Sequence, residues 1–251
     1  MDAQDWASMT AAPPSRWRVL TWNLRGSAHP NLELVAEVIE GYAPHVVALQ
    51  EVQRRQARKL AKRLGWKRQW TRKHHPYSPF VWWRTEGIAV LSPHPMSHVV
   101  HTTISPGIST WVFRHRVLLA VTVTRSEAAV RIYDTHLSST DTDERIAQAR
   151  RVTEIVVQEA PPVAVVVGDL NTHPNDLVEI VREFHPAGLR DPGGDSSNPA
   201  IAPYQRLDMV LVPADAVVTD QHTPDGGERW AALSDHVPVL LEFEIGSSAT
   251  G

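Results

Sequence analysis

Apolar runs of strand length recur along this chain, and most are bounded by Pro, Gly, Asp or Ser. Short runs rich in Val, Ile and Leu predict buried β-strands, so many central strands are expected. The predicted strands cover residues 17–22, 45–49, 87–91, 117–124, 130–133, 163–167, 207–212 and 237–243.

Helical spacing occurs between several of these runs. Apolar residues between 32 and 42 recur on one helical face, and Gly41 with Pro44 marks the end of that helix. The pattern also predicts helices at 53–64 and 141–158 and a short one at 176–184. Because some strands follow one another directly, the prediction is a set of mixed sheets in an α/β arrangement. Residues 1–15 and 246–251 are the predicted tails of a single domain, 16–245.

Four short polar motifs each follow an apolar run. They are Thr21-Trp22-Asn23, Leu49-Gln50-Glu51, Gly168-Asp169-Leu170-Asn171 and Ser234-Asp235-His236. Cleavage of a phosphate ester needs one or two divalent cations, a polarised water and hydrogen-bond donors for the developing charge. The motifs supply groups of these kinds, so together they predict the site of a metal-dependent phosphodiesterase.

The carboxylates and amides of these motifs suit a hard cation such as Mg²⁺ or Mn²⁺, which prefers oxygen ligands. Glu51 and Asp235, with Asn23 beside them, are the predicted metal ligands. Asp169 and Asn171 are two residues apart at the end of an apolar run, so a continuing strand would aim both at the same side. One would then orient the attacking water while the other donates to the phosphate.

Two further residues complete the predicted catalytic set. His136 follows the run 130–133, and Asp208 lies in the run 207–212. A carboxylate that is hydrogen-bonded to one imidazole nitrogen fixes the tautomer of the ring and raises its basicity. Asp208 is the predicted partner of His236 in such a pair.

Taken singly, residues of these types more often form turns at strand ends. Asp169 with Asn171, for example, is also the pattern of an Asx turn that opens a loop. Independent turns, however, would have no reason to supply all of these groups in this order, each beside an apolar run. The ordered set therefore favours a catalytic site.

The ordered motifs resemble those of the endonuclease/exonuclease/phosphatase superfamily, which has the deoxyribonuclease I-like fold. The resemblance covers about residues 17–245. It implies an α/β sandwich of two mixed β-sheets flanked by helices, with the site at one edge. It also implies Asn23 and Glu51 at the metal, Asp235 near it, Asp169 and Asn171 at the water and phosphate, and Asp208 paired with His236. This chain has His136, like the deoxyribonuclease I branch, at the position where abasic-site endonucleases of the family carry Tyr. The resemblance therefore argues against an abasic-site substrate.

The net charge of the chain is −3, but its basic residues are concentrated in one segment. No Asp or Glu occurs between Val52 and Thr85. The segment contains Arg54, Arg55, Arg58, Lys59, Lys62, Arg63, Lys67, Arg68, Arg72, Lys73 and Arg84. A charge run is usually a solvated helix face, but this one begins directly after Glu51 and so favours a surface for a polyanionic substrate. Arg116 precedes a predicted strand on the same side and is a candidate phosphate contact.

The composition excludes several classes of site. The chain has no Cys, which rules out disulfides, thiolate chemistry and Cys-ligated zinc. No run approaches the roughly 18 apolar residues of a membrane-spanning helix, and the N-terminus lacks the pattern of a signal peptide. We expect a cytoplasmic protein that is a monomer.

The sequence therefore predicts a Mg²⁺- or Mn²⁺-dependent phosphoric ester hydrolase, with a nuclease acting on DNA or RNA favoured. One alternative is a phosphoinositide or phospholipid head-group hydrolase, since the basic segment suits an anionic membrane as well. A second is a non-catalytic module that binds nucleic acid or protein. The stretch between Asn171 and Asp208 is short, so substrate specificity is expected to be broad or to lie in the loop 68–83.

Overall fold

Two six-stranded β-sheets pack face to face, and helices cover their outer sides. The computed structural model describes residues 15–73, 85–105, 115–126 and 128–246. The strands are β1 (Ser15–Asn23), β2 (Val46–Gln53), β3 (Lys67–Arg72), β4 (Glu86–Ser92), β5 (Met96–Thr103), β6 (Val117–Arg125), β7 (Ala128–His136), β8 (Ala164–Asp169), β9 (Leu189–Arg190), β10 (Asp208–Pro213), β11 (Val217–His222) and β12 (Val239–Ile245). The helices are α1 (Leu32–Tyr42), α2 (Arg54–Leu64), α3 (Thr142–Glu159), α4 (Leu177–Glu183) and α5 (Glu228–Ala231).

Both sheets are mixed. The first has the order β11-β12-β1-β2-β4-β3 and the second the order β5-β6-β7-β8-β10-β9. β1 is parallel to β2, and β7 is parallel to β8. The other strand pairs are antiparallel. This is the α/β sandwich of two mixed sheets that the sequence predicts.

Three apolar layers hold the sandwich together. Side chains alternate between the two faces of a strand, so Trp17 and Val19 of β1 enter the core between the sheets. Leu20 and Trp22 of the same strand enter the core beneath α1 and α2. A third cluster fills the space between the second sheet and helices α3 and α4. Because the central strands are covered on both faces, their sequences are nearly continuous apolar runs.

The eight strands predicted from apolar runs are the inner strands of the two sheets. The structure adds β3, β5, β9 and β11, and these are the four edge strands. Most side chains of β5 and β11 are exposed or half-buried. An edge strand pairs on one side only and commonly carries polar residues, so no apolar run marks it in the sequence.

The first four helices lie where helical spacing predicts them. The side chain of Asn31 caps α1 by accepting from the Glu33 N–H at 3.0 Å, and Asp141 caps α3 by accepting from the Glu144 N–H at 2.9 Å. Of the helices in the described ranges, none combines the length and apolar composition needed to cross a membrane. The predicted tails and the part of the predicted specificity loop beyond Lys73 fall outside these ranges, apart from Ser15 and Gly246.

A buried ion pair ties together the loops that follow β7 and β8. Arg145 on α3 is 2% exposed, and its Nε donates to Asp176 Oδ2 at 3.1 Å. Its Nη1 donates to the Ser138 carbonyl at 3.1 Å, while the other oxygen of Asp176 accepts from the His173 N–H at 2.6 Å. Because both loops begin at candidate site residues, this pair helps to fix the edge of the sandwich where the site lies.

We expect Arg145→Met to lower the free energy of unfolding by about 3–5 kcal/mol, because Asp176 would stay buried without its charge partner. Arg150→Met on the same helix is the matched control, since Arg150 is exposed and water screens its pair with Glu183. Urea unfolding followed by circular dichroism measures both variants. Equal and small changes in the two unfolding midpoints would contradict the assigned role of the buried pair.

Candidate active site

The predicted site residues converge because the strand ends that carry them are neighbours. In the second sheet, His136 of β7 is in register with Asp169 of β8, and Asp169 is in register with Asp208 of β10. In the first sheet, Asn23 of β1 is in register with Gln50 of β2. Three adjacent strands of one sheet and two of the other therefore deliver their polar residues to the same edge.

Glu51 is aimed into this edge by an irregularity in β2. The register between β2 and β4 shifts between Leu49 and Val52, which is the mark of a β-bulge. Glu51 lies within it with a φ of 50°, in the left-handed region that a non-glycine residue rarely adopts. A bulge interrupts the regular alternation of side chains along a strand and points one of them in a new direction. The strained backbone at Glu51 is thus part of what directs its side chain into the site.

Direct hydrogen bonds join the two sheets at the site. Asn23 Nδ2 donates to Asp169 Oδ2 at 2.9 Å. One layer deeper, Gln50 Nε2 donates to Asp134 Oδ1 at 2.7 Å, and burial raises the pKa of Asp134 well above its ordinary value. These two bonds connect β1 with β8 and β2 with β7, so they link the two halves of the site directly.

Asp169 and Asn171 do not lie on a continuing strand. β8 ends at Asp169, and the Asn171 N–H donates to Asp169 Oδ1 at 3.0 Å in a tight turn, with Asn171 at a φ of 51°. The expectation that strand alternation aims both side chains to one side is therefore wrong, and the Asx-type turn is the arrangement found. The side chain of Asn171 donates to the Leu137 carbonyl at 3.0 Å, which still holds it beside His136.

Gly168 permits this close approach of β7 and β8. Its φ is +140°, and a Cβ at this position would lie 2.0 Å from the carbonyl oxygen of Thr135. Any side chain here would push apart the two strands that carry His136 and Asp169. The residue before Asp169 must therefore be glycine.

Asp208 and His236 form the predicted pair. His236 Nδ1 donates to Asp208 Oδ2 at 2.6 Å, and the same oxygen accepts from Ser197 Oγ at 2.6 Å. Burial by itself lowers the pKa of His236, but the Asp208 carboxylate outweighs it, with help from Asp169, and raises this pKa to about 10. The ring is therefore held as an imidazolium, a hydrogen-bond donor on both nitrogens.

Asp169 lies beside this pair. Ligand atoms of Asp169, Asp208 and His236 all fall within 4.8 Å of one another. Burial, followed by the nearby Asp208 carboxylate, raises the pKa of Asp169 to about 6. A carboxylate with a pKa close to neutral is suited to accept a proton from a water molecule, which is the role predicted for Asp169.

Lys73 lies in the site and not on the basic surface to which its sequence context assigns it. It is 7% exposed, its Nζ donates to Glu51 Oε1 at 2.9 Å, and it lies 3.1 Å from His136 Nδ1. An ammonium can only donate, so His136 Nδ1 is the acceptor of this hydrogen bond. The proton of a neutral His136 ring is therefore on Nε2, and this nitrogen lies 3.5 Å from Asp169 Oδ2. Burial raises the pKa of Glu51, but Lys73 outweighs this and holds it below its ordinary value.

Arg116 is buried near Glu51 and Lys73. Its positive charge lowers the pKa of both groups, after larger contributions from burial and, at Glu51, from Lys73 and His236. The charge of the guanidinium therefore reaches Glu51 and Lys73, and its contact with a substrate phosphate stays a prediction. Glu86, at the start of β4, is a second carboxylate near Glu51, since burial and then the charge of Glu51 raise the pKa of Glu86.

Asp235 lies at the more open side of the site. Its carboxylate side chain is 38% exposed, with Arg25 Nη1 at 3.3 Å and Ser234 Oγ at 3.4 Å. The backbone of this segment is firmly held, because Ser234 Oγ donates to the Asn23 carbonyl at 2.6 Å and Trp22 Nε1 donates to the His236 carbonyl at 2.8 Å. The segment that carries Asp235 is thus held beside Asn23, and the predicted approach of its carboxylate to a metal stays a prediction.

The residues present fit a divalent cation at Glu51. The Glu51 carboxylate already binds one positive charge, the Lys73 ammonium. The carboxylate oxygens of Glu51 and the amide oxygen of Asn23 are suitable ligands for a hard metal. The group of Asp169, Asp208 and His236, whose ligand atoms lie within 4.8 Å of one another, fits a cation less well. The Asp208 carboxylate favours the imidazolium form of His236, and an imidazolium has no free nitrogen to offer a metal. Within the described residues, Glu51 is therefore the best anchor for a metal.

The sequence and fold of this chain are similar to those of known proteins. A model described as the endonuclease/exonuclease/phosphatase family matches residues 20–236. The chain belongs to this family. Its members hydrolyse phosphate esters, and the chain is accordingly a phosphoesterase of the endonuclease/exonuclease/phosphatase type.

Solved structures show the shared fold. The endonuclease/exonuclease/phosphatase from Beutenbergia cavernae DSM 12333 is 24% identical with a TM-score of 0.73, over 92% of this chain and 72% of that one. The protein of the same description from Bacteroides vulgatus is 16% identical with a TM-score of 0.77, over 92% and 99%. ANGEL2, a 2′,3′-cyclic phosphatase, is 12% identical with a TM-score of 0.71, over 92% and 95%. No curated protein matched.

Proposed function

We propose that this member of the endonuclease/exonuclease/phosphatase family is a divalent-metal-dependent phosphodiesterase that acts on nucleic acid. The observation that carries the proposal is the convergence of Glu51, His136, Asp169 and the Asp208–His236 pair at one edge of the sandwich. The contacts between them join both sheets, and each group has a chemical property that phosphodiester hydrolysis requires. A non-catalytic binding module would have no need of this combination.

The proposed metal is Mg²⁺ or Mn²⁺, held by Glu51 with Asn23 and Asp235 nearby. When bound, it would polarise the scissile phosphate and neutralise part of its charge. The rest of the chemistry belongs to side chains. Asp169 orients the attacking water and accepts its proton, and the hydrogen bond from Asn23 keeps Asp169 Oδ2 in position.

Donors for the developing negative charge come from three residues. His236 is held as an imidazolium by Asp208, so it donates without first having to gain a proton. His136 has a proton on Nε2 for the same purpose, because Lys73 occupies Nδ1. Asn171 is fixed beside them by its bond to the Leu137 carbonyl. Donors placed in advance at a transition state are the largest single contribution in many hydrolases.

A nucleic-acid substrate is favoured by the surface that begins directly after the site. α2 starts one residue after β2 ends, and its exposed side chains include Arg54, Arg55, Arg58, Lys59 and Lys62. Burial, followed by the charges of Arg54 and Arg58, lowers the pKa of Arg68 on β3. Arg54, Arg58 and Arg68 thus form an arginine cluster, and an arrangement of like charges at this spacing favours a polyanion that bridges them.

We expect the logarithm of DNA affinity to fall linearly with the logarithm of salt concentration, with a slope of about −0.9 per phosphate contacted. The triple variant Arg54→Gln/Arg58→Gln/Arg68→Gln should weaken binding and make this slope shallower, while the hydrolysis of a small chromogenic phosphodiester stays the same. Fluorescence anisotropy with labelled duplex and single-stranded DNA measures the slope. Lys73 must be left intact, because it belongs to the site and not to this surface.

Arg150→Gln/Arg151→Gln/Arg182→Gln, on α3 and α4, is the matched control with the same change in net charge. If both triple variants reduce the slope equally, net charge rather than the arginine cluster governs binding. If the wild type shows no salt-dependent DNA binding and instead hydrolyses phosphoinositides in a substrate panel, the head-group alternative replaces the nuclease proposal. The panel should include RNA with a 2′,3′-cyclic end, since ANGEL2 is a 2′,3′-cyclic phosphatase. The cytoplasmic location and the monomeric state also remain predictions.

A further inference from the structure

Lys73 contacts His136, but the proposed reaction does not explain its contact with Glu51. It follows β3 directly, and its backbone N–H donates to the Glu86 carbonyl at 3.1 Å, so its main chain is fixed to β4. Its ammonium is buried, although Lys is almost never fully buried unless it is paired. The pairing is with the very carboxylate that we assign to the metal.

Glu51 cannot serve two cations at the same oxygen. Lys73 Nζ lies 2.9 Å from Glu51 Oε1, and an ion bound closely to that oxygen would meet the ammonium at a repulsive distance. An ion bound through Oε2 instead would still share the carboxylate with the ammonium and be repelled by it. Binding of a divalent ion therefore weakens or displaces the Lys73 contact. The cost of that displacement is part of the metal affinity that any titration would measure.

A displaced ammonium needs another anion, because a buried charge without a partner is strongly unfavourable. An ammonium has three N–H donors. His136 Nδ1, at 3.1 Å, is neutral when it accepts and so replaces none of the lost charge. Arg116, the second cation near this position, adds repulsion. The carboxylates of Asp169 and Glu86 also act on Lys73. Asp169 Oδ2 already accepts from Asn23 Nδ2, however, and Glu86 Oε1 from the Ser27 N–H. The group that brings new negative charge to this edge is the phosphate of the substrate.

We propose, resting on the function assigned above, that Lys73 is a built-in competitor for the metal at Glu51 that becomes a ligand of the substrate phosphate once the metal is bound. Metal and phosphate then favour each other, because each removes a penalty that the other would face alone. Such coupling is reciprocal: metal tightens phosphate binding by the same factor by which phosphate tightens metal binding. Lys73 thereby lowers the metal affinity of Glu51 when no substrate is bound.

The test compares the wild type with Lys73→Met, which keeps most of the side-chain volume without the charge. Calorimetric titration with Mn²⁺ alone should give an affinity about tenfold tighter in the variant, since a charge-assisted contact no longer has to be broken. Titration with inorganic phosphate at saturating Mn²⁺ should give an affinity about tenfold weaker, since a phosphate ligand is missing. A residue with a purely structural role would not change the two affinities in opposite directions.

Two further variants complete the experiment. Lys67→Met, at the exposed start of the same strand, is the matched control and should leave the Mn²⁺ affinity unchanged. Lys73→Gln keeps polar donors without the charge, and it should repeat the tighter Mn²⁺ binding if Lys73→Met does not fold, as judged by its circular dichroism spectrum.

Each result has a separate meaning. Unchanged or weaker Mn²⁺ binding in both folded Lys73 variants would overturn the proposal while leaving the metal-dependent function intact. Tighter Mn²⁺ binding with unchanged phosphate affinity would overturn the claim that the ammonium serves the phosphate. If neither the wild type nor the variants bind Mn²⁺, the metal-dependent function fails, and this proposal fails with it.

Discussion

Replacing His236 by Ala is expected to lower the turnover number for phosphodiester hydrolysis by about 10³-fold or more. The substitution removes an imidazolium that the Asp208 carboxylate holds in place at 2.6 Å. Asp208→Asn should have an effect of similar size, because an amide cannot stabilise the charged ring. Since the two residues act as one unit, the double variant should be little worse than the worse single variant.

Steady-state kinetics with a chromogenic phosphodiester at saturating Mn²⁺ measure these losses. His185→Ala, an exposed histidine after α4, is the matched control and should leave turnover unchanged. A double variant whose loss equals the product of the two single losses would mean that Asp208 and His236 act independently. That result would contradict the pair even if each residue proved important on its own.

Glu51→Gln is expected to abolish metal-dependent turnover and to weaken Mn²⁺ binding, because the amide keeps the shape of the side chain but not its charge. It should also lower the free energy of unfolding by about 3 kcal/mol, since it leaves the Lys73 ammonium buried without a carboxylate. The double variant Glu51→Gln/Lys73→Met removes both charges and should regain most of the stability while remaining inactive.

Calorimetric Mn²⁺ titration and urea unfolding separate the two effects. Glu37→Gln, on the exposed face of α1, is the matched control for the same chemical change. Undiminished Mn²⁺ affinity in Glu51→Gln would remove Glu51 from the metal site. A double variant as unstable as the single one would mean that the Lys73–Glu51 contact contributes nothing measurable to folding.

Strand ends and their polar residues could be predicted from the sequence because burial leaves a continuous apolar pattern. The inner strands are covered on both faces, so each run ends where the chain leaves the core, and the polar residue at that point marks the edge of the sheet. The pairing of Asp208 with His236 is confirmed in the structure at 2.6 Å. It could be anticipated because Asp208 begins such a run, His236 directly precedes one, and each needs a partner when buried.

The interior position of Lys73 could not be predicted in the same way. The segment from Val52 to Thr85 is rich in basic residues and has no Asp or Glu, so the local pattern indicates a solvated surface. Lys73 reaches Glu51 because it follows the edge strand β3. Edge strands have no continuous apolar run, so the sequence does not predict them. The same reason explains why β5 and β11 were missed.

Two supporting contacts were missed for a different reason. Ser197 lies in a Gly- and Pro-rich loop whose sequence indicates only irregular structure, yet its hydroxyl donates to Asp208. Gln50 precedes Glu51 and looks like part of the same polar motif, but it points into the core toward Asp134. Both depend on contacts between segments far apart in the chain, which local patterns do not encode.

The division of the site between two sheets has a consequence for how the protein can change over evolutionary time. Asn23 and Glu51 belong to one sheet, and Lys73 directly follows the edge strand β3 of that sheet, whereas His136, Asp169 and Asp208 belong to the other sheet. The spacing between these groups is set by the thickness of the apolar layer that the sheets share. A conservative exchange such as a smaller aliphatic residue in that layer can therefore inactivate the protein without altering a single polar group, so an intact set of motifs in a related sequence does not by itself establish activity.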